Sequence, residues 1–194
     1  EFGTGLLNNK FAFDGRLSKI SSDGYIDRAT SNLKSLYLQG TYFGESSIVK
    51  ALMFAGHELT YQAWNGVPLN YLYTNRTFNS YTYENEVDNY GQTHYQLHYS
   101  KQMSTVTNFN IAAHYTHGEG YYEQEKLRED LTDYNLANII LNNDTITSTD
   151  LIRRKWLNND FSGLTYSLNH KMGEVDLIIG GASNKYSGQH YGNV

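Results

Sequence analysis

Cysteine is absent from this chain of 194 residues, and proline occurs only once, at Pro68. The first absence excludes a disulfide framework and a thiolate metal site. The second fits a chain of many strands, because proline cannot donate a hydrogen bond within a sheet. Long apolar runs are lacking too: mean hydropathy is −0.59, and no stretch approaches the ~20 apolar residues of a membrane-spanning helix. A basic surface is also missing, since the formal net charge is −5, so no nucleic-acid partner is expected.

Tyrosine and glycine are abundant instead, with 18 and 17 residues. The clearest pattern covers residues 93–118, THYQLHYSKQMSTVTNFNIAAHYTHG, where apolar positions alternate with His, Gln, Asn and Thr. This period of two predicts two strands, joined by a turn near 101–106, with one apolar and one polar face. A soluble sandwich usually carries Lys and Glu on its polar face, and both are nearly absent here. The pattern favours the wall of a membrane β-barrel, apolar towards lipid and polar towards an interior.

Alternation elsewhere predicts five further strands, so that the chain has about seven. They lie at about 9–20, 33–43, 48–60, 158–169 and 175–186. Strand 48–60 is almost continuously apolar, so alternation assigns neither of its faces. The residues predicted to face lipid share the apolar positions of the other strands. They are Phe11, Phe13, Leu17, Leu36, Leu38, Tyr95, Leu97, Tyr99, Phe109, Ile111, Tyr115, Val175, Leu177 and Ile179.

Connections of two lengths separate these strands. The long ones lie at about 21–32, 61–92 and 118–153, and short turns alternate with them. Within the last, the rough helical spacing of apolar residues between 127 and 141 leaves a short helix open. Outer-membrane barrels sort their loops in this way, with short turns at the periplasmic end and long loops outside.

We therefore predict an all-β fold, an antiparallel up-and-down sheet of about seven strands that forms an arc of a large transmembrane β-barrel. The expected location is the bacterial outer membrane, with its lipid as a partner. An open wall would leave unpaired strand edges in lipid. For that reason we expect residues 1–194 to be part of a larger barrel domain.

A family resemblance points the same way. It is carried by the runs GLLNNKFAFDGRLSKISSDGYIDRATSNLKSLYLQGTYF (5–43), TYQAWNGVP (60–68), YENEVDNYGQTHYQLHYSKQMS (83–104), HYTHGEGYYEQ (114–124) and DLIRRKWLNNDFSGLTYSLNH (150–170). In order and spacing these runs resemble the β-barrel domain of TonB-dependent outer-membrane receptors. The resemblance implies a plugged barrel of about 22 strands. It also implies uptake of a scarce nutrient, such as a ferric siderophore, haem, cobalamin or a glycan, with energy supplied by the TonB complex. The plug domain and the C-terminal strands of such a receptor are expected outside these residues.

Ligand capture in such a receptor falls to the outer loops, and segment 61–92 has the most suitable composition. Aromatic rings with neighbouring amides suit a sugar ring or an aryl chelate, and a guanidinium suits an anionic one. The alternative is that these tyrosines pack the loop and lie at the level of the lipid headgroups. The candidate residues are Tyr61, Gln62, Trp64, Asn65, Tyr71, Tyr73, Asn75 and Arg76.

Metal binding and catalysis have weaker support. If Leu97 faced Ile111 across the central hairpin, His94 would face His114, close enough for two imidazoles to share a metal. Histidines hydrogen-bonded to their neighbours in the interior are the alternative.

The sequence contains no nucleophile elbow, phosphate-binding loop or HExxH motif, so we predict neither an enzyme nor a cofactor. A secreted carbohydrate-binding β-sandwich is the alternative function. An outer-membrane barrel hydrolase is a further alternative, which would need a Ser/His or Asp/His pair that the sequence does not single out.

Overall fold

A computed structural model describes residues 1–194, and almost all of its regular structure is β-strand. The strands are β1 (Phe2–Gly3), β2 (Phe11–Ser22), β3 (Ser31–Phe43), β4 (Ser47–Tyr61), β5 (Val87–Ser104), β6 (Thr107–Asp130), β7 (Ile139–Leu141), β8 (Asp144–Ile146), β9 (Ser148–Met172) and β10 (Val175–Asn193). Two single 3-10 turns, Leu69–Tyr71 and Leu131–Tyr134, are the only helical elements. Neither has the length and hydropathy to cross a membrane.

The main sheet has eight strands in the order β1-β2-β3-β4-β5-β6-β9-β10, and each strand is antiparallel to its neighbours. The small hairpin β7-β8 forms a separate two-stranded sheet. The all-β, up-and-down fold class is thus confirmed. The strand count differs from seven because β1 is only two residues long, too short for alternation to reveal.

Connection lengths are sorted between the two ends of the sheet. At one end, here the turn end, β2 to β10 are joined by residues 44–46, 105–106 and 173–174, and the longer connection 4–10 leads from the two-residue β1 to β2. At the other, here the loop end, the connections are residues 23–30, 62–86 and 131–147, the last of which contains β7 and β8. The alternation of short and long connections follows the predicted order.

The registers place all the residues predicted to face lipid on one side of the sheet. One cross-strand row, for example, runs Phe13–Gly40–Ala51–Leu97–Ala113–Leu164. We call this side the apolar face and the opposite side the polar face. Strand β4, whose faces alternation left open, contributes Val49, Ala51, Met53 and Ala55 to the apolar face.

The register of the central hairpin, which the sequence left open, differs by two residues from the one that would oppose His94 to His114. Leu97 lies opposite Ala113 and not Ile111, and His94 lies opposite Thr116 and not His114. The position of the turn at 105–106 and a bulge at Met103, between the pairs Gln102↔Asn108 and Ser104↔Thr107, together set the observed register. The extra residue lets a two-residue turn at 105–106 join the strands while odd positions of β5 still face odd positions of β6.

The predicted loop 118–153 is also wrong in its bounds. Strand β6 continues to Asp130 and pairs with the start of β9 as far as Asp130↔Ser148, so the connection between them is only 131–147. The possible helix between 127 and 141 is reduced to the 3-10 turn Leu131–Tyr134. Arg128, with φ 54°, forms a bulge in β6 where the register shifts.

The main sheet is a single layer without a core of its own. Only 12 of 194 residues are buried, and just two of these, Tyr61 and Leu131, are large hydrophobics. A β-sandwich requires two sheets packed on a shared apolar filling. The apolar face carries no second sheet, since the other sheet is the three-residue hairpin β7-β8. The fold therefore argues against the sandwich alternative.

Candidate functional site at the loop end of the sheet

Segment 62–86 covers a strand edge that would otherwise be exposed. Strand β6 extends beyond its last pairing with β5, Asp88↔Tyr122, and so loses one neighbour. The Gln62 side chain takes that neighbour's place: its Nε2 donates to the carbonyls of Val87 and Glu123, at 3.0 Å each. Its Oε1 accepts from Gln124 Nε2, also at 3.0 Å. Gln62 is 1% exposed, so it is a structural residue of the segment and is not available to a ligand.

Two further side chains fix the segment to connection 23–30. Asn79 is buried, and its Nδ2 donates to the carbonyls of Asp27 and Gln62, at 2.9 and 3.0 Å. Arg28 donates to the carbonyls of Tyr81 and Asn79, at 2.7 and 3.0 Å. These bonds satisfy buried backbone groups that no strand could pair. Connections 23–30 and 62–86 therefore form one hydrogen-bonded unit.

Glu123 is the charged centre of this unit. It is 2% exposed, and its carboxylate accepts hydrogen bonds from Tyr83 Oη and Asn85 Nδ2, both at 2.7 Å, and from Arg154 Nε. Burial alone would raise the pKa of the Glu123 carboxyl, but the three donors outweigh it and lower that pKa below its ordinary value. The bond to Glu123, with burial adding to it, raises the pKa of Tyr83 to about 12. Glu123 is therefore ionised and Tyr83 neutral at physiological pH.

Other side chains of segment 62–86 remain open to solvent. Tyr73 is 92% exposed and Trp64 54% exposed. The Trp64 ring contacts the Tyr122 ring edge-on, with centroids 5.2 Å apart. Because Tyr122 lies on the polar face, this part of the segment packs against the polar face of β6. Tyr71 stacks on Phe78 with centroids 4.4 Å apart.

A groove of about 990 Å³ lies beside the segment, at the loop end of the polar face. Acidic, basic and aromatic side chains share its wall. Arg153 donates from Nη2 to Gln124 Oε1 at 3.1 Å, while its Nε is buried without a hydrogen-bond partner within the protein. The charged and aromatic lining residues on the polar face are Glu58, Asp88, Tyr90, Tyr122, Arg153, Lys155 and His190, joined by Asp133 and Tyr134 of connection 131–147.

Two glycines of β6 shape this groove. A β-carbon at Gly118 would overlap Tyr90 Oη and come within 2.8 Å of Asn159 Oδ1. A β-carbon at Gly120 would overlap the Asn89 carbonyl and lie 2.6 Å from Tyr90 Cα. Without side chains at these positions, the Tyr90 ring reaches across β6, and its hydroxyl donates to Asn159 at 3.1 Å.

Comparison with solved structures places this geometry in a known fold. The chain superposes on the closed-form crystal structure of the ferric-catecholate import receptor Fiu from E. coli K12, with a TM-score of 0.66 and 8% sequence identity. The match covers 97% of this chain and 29% of the receptor chain. The chain has the fold of a β-barrel fragment. No protein-family profile matches the sequence. No curated protein is similar to it in sequence.

The candidate ligand residues of this barrel fragment fall into two groups. Tyr61 and Gln62 are buried, and Tyr61 Oη donates to the Tyr83 carbonyl at 2.7 Å, so both hold the segment in place. Asn65, which donates to Ser80 Oγ at 2.9 Å, belongs to the outer part of the segment. The others there are Trp64, Tyr71, Tyr73, Asn75 and Arg76. The groove itself was missed, because its residues come from six separate stretches of the chain.

The His94–His114 pair does not form. His94 bonds to Gln92 at 3.0 Å and to Thr116 at 2.8 Å, and its ring stacks on Phe54 with centroids 4.1 Å apart. His114 bonds to Asn184 at 3.0 Å. Each imidazole is thus satisfied separately on the polar face, as in the alternative interpretation. No group of three or more metal-ligating side chains occurs in the structure.

Proposed function

We propose that this chain is part of an outer-membrane active-transport receptor. The receptor captures a scarce nutrient, such as a ferric siderophore or similar chelate, haem, cobalamin or a glycan, and passes it to the periplasm with TonB-supplied energy. The chain spans 29% of the length of the import receptor that it matches. In this proposal the plug and the remaining strands of a barrel of about 22 belong to other parts of the receptor.

One observation carries the proposal: a long antiparallel sheet exposes a continuous apolar face. Leu17 is 75% exposed, Ile179 56% and Tyr166 53%, although all three lie within strands. A soluble protein would leave so much apolar surface in water at a large cost in free energy. Hydrocarbon outside a barrel wall removes that cost, while the polar face meets an aqueous interior.

Ligand capture is assigned to two neighbouring places. One is the set of exposed side chains of segment 62–86, here called the rim, and the other is the groove beside it. Trp64, Tyr73 and Arg76 present rings and a guanidinium to solvent, and Tyr122 connects the rim to the groove. The buried residues Tyr61, Gln62 and Glu123 fix this segment by hydrogen bonds. Aromatic faces that converge with a few polar groups are the usual composition of a ligand pocket.

Charge narrows the ligand classes. The loop end, taken as residues 18–35, 56–92, 118–159 and 188–194, carries 14 acidic and 9 basic side chains, whereas the rest of the chain carries 6 of each. The whole net charge of −5 therefore lies at the end where a ligand would enter. Because a negative entrance repels anions, it favours an uncharged ligand such as a glycan over an anionic ferric chelate.

Uptake by a deletion strain tests the proposal. We expect loss of the gene to abolish growth on one member of a panel of limiting nutrients that contains ferric chelates, haem, cobalamin and oligosaccharides. Deletion of tonB should have the same effect, because transport needs the energy-coupling complex. Membrane fractionation is the control. A protein found in the culture medium or in the periplasm would contradict the proposal.

Trp64→Ala is expected to weaken ligand capture about tenfold, because a half-exposed ring on the rim loses a contact worth ~1.4 kcal/mol. Binding of the transported nutrient to whole cells measures the change. Tyr25→Ala removes another exposed aromatic, in connection 23–30, and as the matched control it should bind normally. Both variants should reach the outer membrane in wild-type amounts. Unchanged binding by Trp64→Ala would move the site away from the rim.

A further inference from the structure

Two lysines face each other across neighbouring strands of the apolar face, near the loop end. Lys19 of β2 lies directly opposite Lys34 of β3, and Lys34 lies opposite His57 of β4. All three side chains are exposed. Directly opposed residues have their β-carbons ~4.5–5.5 Å apart, a distance at which like charges repel and destabilise the pairing. The arrangement therefore calls for a counter-charge.

The protein itself supplies none. Neither lysine takes part in an ion pair, and His57 bonds only to the neutral Asn89, at 2.9 Å. The acidic side chain in the same row is Glu119, three strands from Lys34 and so about 14 Å away. Asp160 in the next row is paired with His117 at 3.0 Å. The two ammonium groups remain available to an external anion.

An apolar floor adjoins these cations. The next row towards the turn end is Leu17–Leu36–Ala55, and a shallow depression of about 770 Å³ spans both rows. Gly91 keeps it open, since a β-carbon there would meet nothing nearer than His57 Cδ2, at 3.6 Å. At the loop end the depression thus has a basic edge on β2 and β3, with Glu119 at its opposite side on β6, and beside the two lysines it has an apolar floor towards the middle of the sheet.

We propose that this depression binds a phosphorylated lipid of the outer leaflet. The phosphate lies between Lys19 and Lys34, and an acyl chain covers Leu17, Leu36 and Ala55. Charge complementarity selects the headgroup, because paired ammonium groups at the membrane surface attract anionic lipid. The apolar floor selects a lipid over a free anion. The inference rests on the proposed membrane location, and on the loop end facing outward.

Native mass spectrometry of the whole protein carrying this chain, purified from outer membranes in detergent, tests the inference. Lipid A, enzymatically dephosphorylated lipid A and inorganic phosphate are the three probes. We expect wild-type protein to retain lipid A, and to bind the dephosphorylated form about tenfold more weakly. The double variant Lys19→Glu, Lys34→Glu should lose the preference. Lys171→Glu, the same charge reversal near the turn at 173–174, should keep it.

Assembly of each variant in the outer membrane is measured separately, so that failure of the lipid-site proposal can be distinguished from failure of the transporter proposal. If the double Glu variant does not reach the membrane, the milder pair Lys19→Gln, Lys34→Gln replaces it and should lose the preference too. Equal retention of both lipids by wild-type protein, or an unchanged preference in the variants, would overturn the lipid site while leaving the transporter intact. Binding of inorganic phosphate as tight as that of lipid A would also overturn it. Absence of the protein from outer membranes would instead refute the proposed function.

Discussion

Arginine at Ile111 is expected to prevent membrane assembly of the protein. Ile111 lies on the apolar face between Tyr99 and Tyr166, within the row that the proposal turns towards lipid. A guanidinium at this depth of a barrel wall costs ~2–4 kcal/mol, a large share of the stability of a membrane β-protein. Heat-modifiable mobility on gels and protease resistance in isolated outer membranes report the assembled fraction.

The neighbouring position provides the matched control. Ala112 pairs with His98 and Thr165 on the polar face, where an arginine would meet water. Ala112→Arg should therefore assemble nearly as well as wild type, although it lies one residue further along the same strand. Equal assembly of the two arginine variants would show that the faces do not meet different solvents, and the transporter proposal would fail with it.

The sequence predicts the fold wherever the two faces of a strand have different surroundings. Phe11, Phe13 and Leu17 alternate with polar residues, and the structure places all three on one face. Residues 118–130 carry no such signal, because both faces of β6 are polar or charged there. The alternation of apolar and polar residues stops where the apolar face ends, but the strand continues beyond that point. A long strand was consequently interpreted as a loop.

Register depends on single residues that no periodic pattern reveals. The turn at 105–106 lies further along the chain than the turn that would oppose His94 to His114, and the bulge at Met103 adds one residue to β5, so His94 lies opposite Thr116. The two registers differ by two residues, and a shift of two residues keeps every side chain on its face. The faces could consequently be predicted, whereas the register of the hairpin, and with it a possible histidine pair, could not.

The candidate site could be predicted only in part from the sequence. Composition identified segment 61–92, but it does not separate Gln62, which is buried against β6, from Tyr73, which is exposed. The groove is harder still, since Asp88, Tyr134 and His190 meet only because β5, β6, β9 and β10 are neighbours in the sheet. Long-range strand order is set by pairing, and no local pattern encodes it.

The Glu123 centre gives the second large expected effect. Glu123→Gln replaces a buried carboxylate, which only accepts hydrogen bonds, by an amide whose nitrogen must face a donor from Tyr83, Asn85 or Arg154. Leaving a buried donor without its charged acceptor costs about 2–3 kcal/mol. We expect faster hydrogen exchange at the amides of segment 62–86, with strands β2 to β5 unchanged. Glu125→Gln, two residues along β6, should leave exchange at wild-type rates.

The pH dependence of the same segment follows from the lowered pKa of Glu123. A carboxyl whose pKa is lower in the folded state stabilises the fold at pH above its unfolded value, about 4.3. That stabilisation is lost as the pH falls through the folded value. Acidification below about pH 4.3 should therefore accelerate exchange and proteolysis of segment 62–86 in wild-type protein. Glu123→Gln should lose this acid-dependent step, because its segment is already loosened at neutral pH. An acid response of equal size in the variant would assign the titration to another group, and Glu123 would no longer account for how the rim is held.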